Sequence, residues 1–193
     1  MPKSSKRQAE IICEVCGKPH PADEIELVFR RPDPIAALSS RVRAKRCKED
    51  DDLCALWGER GRAHRYFVRG VIPLPVIGRE VGYQIGAWAE VQMADFDRIR
   101  ELWDDQTQSE EPPMTGRLAN RISLHEAPTL DLNVTVHLTG PKTRPHLMAA
   151  ERDHTLFKEQ AEGVTAHRAA QYTGLVNAGW EDTLRALLTR LGL

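Results

Sequence analysis

The sequence predicts an α+β fold, with an antiparallel sheet, flanking helices and a small zinc-knuckle-like segment near the N-terminus. Three observations carry that prediction. Residues 129–139 alternate without a break, placing Leu130, Leu132, Val134, Val136 and Leu138 on one face and Asp131, Asn133, Thr135, His137 and Thr139 on the other. Residues 66–74 and 81–92, joined through a turn containing Gly78, read as an antiparallel hairpin. Segments with helical apolar spacing come before, between and after these strands.

In chain order, residues 1–12 form a basic leader, and residues 13–175 form one domain that opens on a cysteine knuckle at 13–20. Residues 34–46 predict one helix, with Ile35, Leu38 and Val42 on its apolar side and Arg41, Arg43, Lys45 and Arg46 on the rest. Four acidic residues, Glu49 to Asp52, compensate that charge, and no aromatic residues interleave to stack bases, so nucleic acid is not an expected partner. The 66–74 strand is apolar on both parities apart from Arg69 and Gly70, as in a strand covered on both sides. In 81–92, Trp88 falls on the opposite side from Tyr83, Ile85, Ala87, Ala89 and Val91. Asp95 is expected to cap a helix burying Phe96, Ile99, Leu102 and Trp103, followed by an acidic, proline-bearing loop over 104–113. After the 129–139 strand, Gly140-Pro141 turns the chain and 145–150 returns as its partner. Asp153 then caps a short helix that Gly163 ends, and Thr165 caps another. Residues 176–193 read as an amphipathic helix with Trp180, Leu184, Leu187, Leu188 and Leu191 in one stripe, docked on the same domain or gripping a partner.

Composition narrows the function classes. The 193 residues are 41% hydrophobic and 28% charged, and 27 basic against 28 acidic side chains leave a formal charge of −1. Such a chain is neither wholly disordered nor a strongly basic nucleic-acid coat. No apolar stretch approaches the roughly 18 residues that cross a bilayer, and no apolar run follows the basic residues of 1–10, so no membrane contact and a cytoplasmic location are expected. In that compartment, clustered thiols more often hold metal than form disulfides. Cys13-x-x-Cys16-Gly17 has the spacing that aims two thiolates at one ion, with a glycine to permit the turn. One structural zinc needs four ligands, and His20, Cys47 and Cys54 are the candidates for the second pair. A redox role for the pair lacks the flanking strand and helix of a thioredoxin-type site, and plain unliganded thiols are the remaining reading.

Phosphate-binding loops, the H-E-x-x-H helix and the G-x-S-x-G elbow are all missing. A candidate polar site is scattered over His137, Arg144, Asp153, His154 and Glu159. In it Arg144 would clamp an anion, His154 would act as general acid or base, and the amides at the helix start beside Asp153 would favour negative charge. Three of these groups also have a plain structural use: His137 as an exposed strand position, Arg144 in a turn, Asp153 as a cap.

Taken together, several short motifs resemble a bacterial family of uncharacterised proteins, domain of unknown function 2199. They are Cys13-x-x-Cys16-Gly17-x-x-His20, Asp52-Leu53-Cys54, Phe67-Val68-Arg69-Gly70 with Pro73, Gly86-x-Trp88, Phe96 and Trp103. Pro112-Pro113 with Gly116-x-Leu118, Pro128-Thr129-Leu130, His137, Arg144-Pro145, Asp153-His154-x-Leu156 and Glu159-Gln160-x-x-Gly163 complete the set. The resemblance implies no activity. It favours Cys13, Cys16, Cys54 and His20 as the zinc set over one using Cys47, and it places Arg144, Asp153, His154 and Glu159 within family-like motifs. Arg117, where a tryptophan is expected, and Ile85, where an aromatic is expected, depart from the pattern. The function expected is a cytoplasmic, zinc-stabilised binding or protein-interaction module, immunity-like in character, that engages a protein partner or an anionic small ligand. The alternative is an enzyme acting on an anionic substrate through His154 and Arg144.

Overall fold

A computed structural model describes residues 10–12, 19–21, 26–59, 62 and 64–176. Its elements are β1 (Glu10–Ile12), β2 (Pro19–Pro21), α1 (Asp33–Ala36), α2 (Ser40–Arg46), β3 (Cys47–Glu49), β4 (Leu53–Leu56), β5 (Arg65–Leu74) and β6 (Tyr83–Val91). They continue with α3 (Met93–Glu101), a single 3-10 turn at Gln108–Glu110, β7 (Met114–Leu118), β8 (Asn133–His137), β9 (His146–Ala149) and α4 (Thr155–Glu162). A further helix, α5, spans 166–176. Helices and sheet in this order bear out the α+β class. Among the described residues no helix is long and apolar enough to cross a membrane.

The expectation of a purely antiparallel sheet needs correction. Strands β5 to β9 pair in sequence, each antiparallel to the next, and β9 then returns to pair with β5 in parallel at Val71 and His146. The result is a closed five-stranded barrel. A ring with an odd number of strands cannot alternate direction all the way round, so one seam must be parallel. Successive outward amides of β5 reveal the change of partner: Arg69 N–H donates to Asp52 O in front of β4, and Val71 N–H donates to Pro145 O in front of β9, each at 2.8 Å. Gly70 lies between them, and a β-carbon there would stand 2.6 Å from Leu147 Cγ and 2.8 Å from Pro145 O, so only glycine lets β9 close on β5.

Alternation decides what fills the barrel. Val68, Ile72 and Leu74 of β5, Ile85, Ala87, Ala89 and Val91 of β6, Val134 and Val136 of β8 and Leu147 of β9 belong to one buried apolar cluster with Phe96 and Ile99 of α3, Leu156 of α4 and Tyr172 of α5. The opposite parity of β4 to β6 builds a second cluster from Cys54, Leu56, Phe67 and Trp88, closed by Ile35 and Ala119. The segment before α1 covers it: Val28 bridges Gly86, and Trp88 Nε1–H donates to Phe29 O at 3.1 Å. Asn120 holds that segment in place, its side-chain amide donating to Arg31 O and to Asp33 Oδ1 while its Oδ1 accepts from Trp88 N–H.

Four element boundaries differ from expectation for local reasons. The 34–46 helix is two helices, because Ser39 is extended and its hydroxyl accepts from Val42 N–H to start α2 afresh. The strand expected from 129 begins at Asn133, because Leu132 N–H bonds Thr129 O in a turn with Asp131 at φ 66°. Gln92 rather than Asp95 stands at the start of α3, and Asp95 lies in its first turn. His154 rather than Asp153 caps α4, its Nδ1 accepting from Leu156 N–H at 3.1 Å. Thr165 caps α5 as expected, with Oγ1 accepting from Arg168 N–H. The leucine stripe from Trp180 onward lies outside the described residues.

Candidate functional site

The five residues of the predicted polar site divide among four places. His137 sits on the outer face of β8, opposite His146 of β9, with Nε2 2.8 Å from Thr135 Oγ1. Burial, and then the neighbouring His137, lower the His146 imidazole from its ordinary value. Arg144 is exposed at the seam and donates Nε–H to Asp52 Oδ1 at 2.6 Å, tying the start of β4 to the start of β9 where the two part along β5. Asp153 is exposed beside the helix start. His154 and Glu159 alone are brought together.

They meet in a polar cluster that the sequence did not disclose. Its centre is His125, whose side chain is 0% exposed. The Tyr172 hydroxyl donates to Glu159 Oε2 at 2.5 Å, so its oxygen is left to accept from His125 Nε2–H at 3.0 Å. Arg168 donates Nε–H to Glu159 Oε1 at 2.7 Å and Nη2–H to Leu124 O at 3.0 Å, with its guanidinium 5.2 Å from the Tyr172 ring centre. The His154 ring lies 5.5 Å from that of His125, and its Nε2 is 3.3 Å from Ala127 O. With Nδ1 accepting as the cap of α4, the proton of His154 belongs on Nε2, facing that carbonyl.

The electrostatics follow from burial. The His125 imidazole is pushed down to about 4, chiefly by burial, against the pull of Glu159. Burial and then the Glu159 carboxylate push the Tyr172 phenol up. His125 is therefore neutral near pH 7 and Tyr172 keeps its proton. His125 Nδ1 is buried without a hydrogen-bond partner. These groups join α4, α5 and the loop before β8, which is the work of a fastening. Arg168 and Tyr172, four residues apart on one helix face, were a legible pair; His125 carried no local signal.

An open site lies elsewhere. A cleft of about 400 Å³ is floored by Leu53, Ala55, Tyr66 and Phe96 and rimmed by Lys48, Asp50, His64, Asp97 and Arg100. Trp57 at 41% and Met93 at 57% exposure stand on its edge, although both are large apolar side chains. A second hollow of about 520 Å³ shares His64, Tyr66 and Met93 with it and runs on to Arg117 of β7 and Asn133 of β8.

The predicted zinc ligands are only partly described. Cys13 and Cys16 lie outside the described residues, and of His20 only its strand position in β2, opposite Ile11, is described. Cys54 is 1% exposed in the second apolar cluster, and burial pushes its thiol up to about 12. Cys47 is half-buried on the same face of β3–β4, and its thiol too is raised by burial. Among the described residues no group of three or more His, Cys, Asp and Glu side chains could hold a metal ion.

A barrel with helices fastened across it by a buried polar cluster, and a half-apolar cleft beside its sheet extension, defines the class. Within it, residues 12–164 match the family described as uncharacterized protein conserved in bacteria, domain of unknown function 2199 (DUF2199), and the chain belongs to that family. No curated protein and no solved structure matches the chain.

Proposed function

We propose that this protein is an interaction module whose cleft over Leu53, Ala55 and Tyr66 receives a segment of a partner protein. One observation carries the reading: Trp57 and Met93 are held exposed at the edge of an apolar floor, with charges of both signs around them. Aromatic and methionine side chains surrounded by polar groups are the make-up of interface centres, whereas exposed apolar side chains scattered singly need no explanation. His154 and Arg144 give acid–base chemistry no support, since one caps α4 and the other binds Asp52.

Selection of peptides from a random displayed library tests the module. The expected outcome is a consensus with an apolar anchor whose binding falls at least tenfold in Trp57→Ala and is unchanged in Arg144→Ala. A library without any Trp57-dependent binder would remove the reading.

Zinc stabilisation by Cys13, Cys16, His20 and Cys54, or Cys47 in place of one of them, belongs to the same proposal. Its support is that β1 and β2 pair antiparallel with Ile12 opposite Pro19, and the sequence between them carries Cys13-x-x-Cys16. Cobalt substitution would give thiolate charge-transfer absorption that is lost in Cys13→Ser; protein purified without chelator and carrying clearly less than one zinc per chain would refute it.

A further inference from the structure

The seven-stranded sheet ends on β3. Barrel closure removes the other edge by joining β9 to β5, while among the described residues β3 pairs with β4 alone. Its hydrogen-bond register shows which groups that edge presents. Trp57 N–H donates to Arg46 O and Asp50 N–H to Leu53 O, so Arg46, Lys48 and Asp50 are the positions bonded toward β4. Cys47 and Glu49 accordingly turn their backbone groups outward. Cys47 N–H is taken by Arg43 O at the end of α2, which leaves Cys47 C=O and both backbone groups of Glu49 directed away from the sheet.

Both faces of this edge are open. The apolar cleft lies on the Lys48 and Ala55 face. On the Glu49 face lies a separate hollow of about 480 Å³, lined by Arg30, Arg31 and Arg69 and by the carboxylates of Glu49, Asp50 and Asp51. In the hollow on the Glu49 face Arg31 binds Glu49 by a two-pronged bond, and Arg69 donates Nη1–H to Asp51 O at 3.2 Å with its guanidinium over the Trp88 ring. An extended chain laid along β3 would send alternate side chains into the two hollows, because successive residues of a strand point to opposite faces.

We propose that the partner segment binds by adding a strand to β3, with alternating apolar and polar side chains, the apolar ones entering beside Trp57 and the polar ones facing the mixed-charge hollow on the Glu49 face. This rests on the interaction-module reading and gives it a mode. Backbone bonds to Glu49 and Cys47 supply affinity, and the two unlike hollows supply register and sequence preference.

The test uses a synthetic peptide chosen from the displayed library, N-methylated one amide at a time. Methylation of the amides facing β3 lowers affinity about tenfold or more, while methylation of the intervening amides changes it less than twofold. A Trp57-dependent peptide that tolerates methylation at every amide leaves the module standing and overturns strand addition. Sedimentation of the protein alone gives a monomer. A dimer that added peptide dissociates would make β3 a meeting place for two copies of this chain and overturn the partner assignment.

Discussion

His125 sets a pH dependence through a single imidazole. Its proton affinity in the folded chain is held down to about 4 by burial, while in the unfolded chain it returns to the ordinary value near 6.5. Between those limits the unfolded state binds more protons, so stability rises with pH across the window and is lost as pH falls from about 6.5 toward 4. Between pH 7 and pH 5 the contribution is on the order of 2 kcal/mol, and urea titrations at those two pH values should show the wild type losing about that much more than His125→Phe, the share from His146 remaining in both. If both chains weaken equally on acidification, another group is responsible. Tyr172→Phe removes the donor to Glu159 and the acceptor for His125 together, and a loss of about 1 to 3 kcal/mol at pH 7 is expected by the same titration. Arg144 behaves differently. Its pair with Asp52 is 42% exposed on the arginine side, so Arg144→Ala should cost less than about 1 kcal/mol.

Elements separate into those whose sequence announces them and those that depend on neighbours. β5, β6, β8, α3 and α4 were legible because alternation, helical spacing and breakers such as Gly163 act within a few residues. β3, β4 and β7 are too short for that. Cys47-Lys48-Glu49 has no alternation of polarity, and Met114 to Leu118 contains Gly116, whose added β-carbon would stand 2.8 Å from Glu90 O. Such strands exist because an adjacent strand already offers its edge. The same reasoning divides the polar residues. His154 was found at a helix start, but its use as the cap depended on which ring nitrogen met Leu156 N–H, and His125 joined Glu159 only because a loop is folded over two helices. The fastening predicts that α5 moves as one unit. In Arg168→Ala, which loses bonds to Glu159 and Leu124 O, amide exchange should quicken along the whole of 166–176 while β5 and β6 keep their protection. Uniform quickening of both would mean that the cluster supports global stability instead.

At the scale of the whole molecule, the described residues are organised around a ring of five strands drawn shut at one place. Gly70→Ala, which puts a β-carbon 2.6 Å from Leu147 Cγ, should destabilise it by roughly 1 to 3 kcal/mol, measured as a lower urea midpoint at unchanged slope. The parallel seam also has a consequence in time. The other four barrel contacts join strands that follow one another along the chain, whereas Val71 and His146 are separated by nearly all of the barrel sequence. Closing so long a loop gives little return until the rest of the ring exists, so the seam is expected to form late. Mutations confined to it, such as Gly70→Ala, should then leave the folding rate nearly untouched and quicken unfolding. The barrel would assemble as an open, curling sheet and become a ring in its last step.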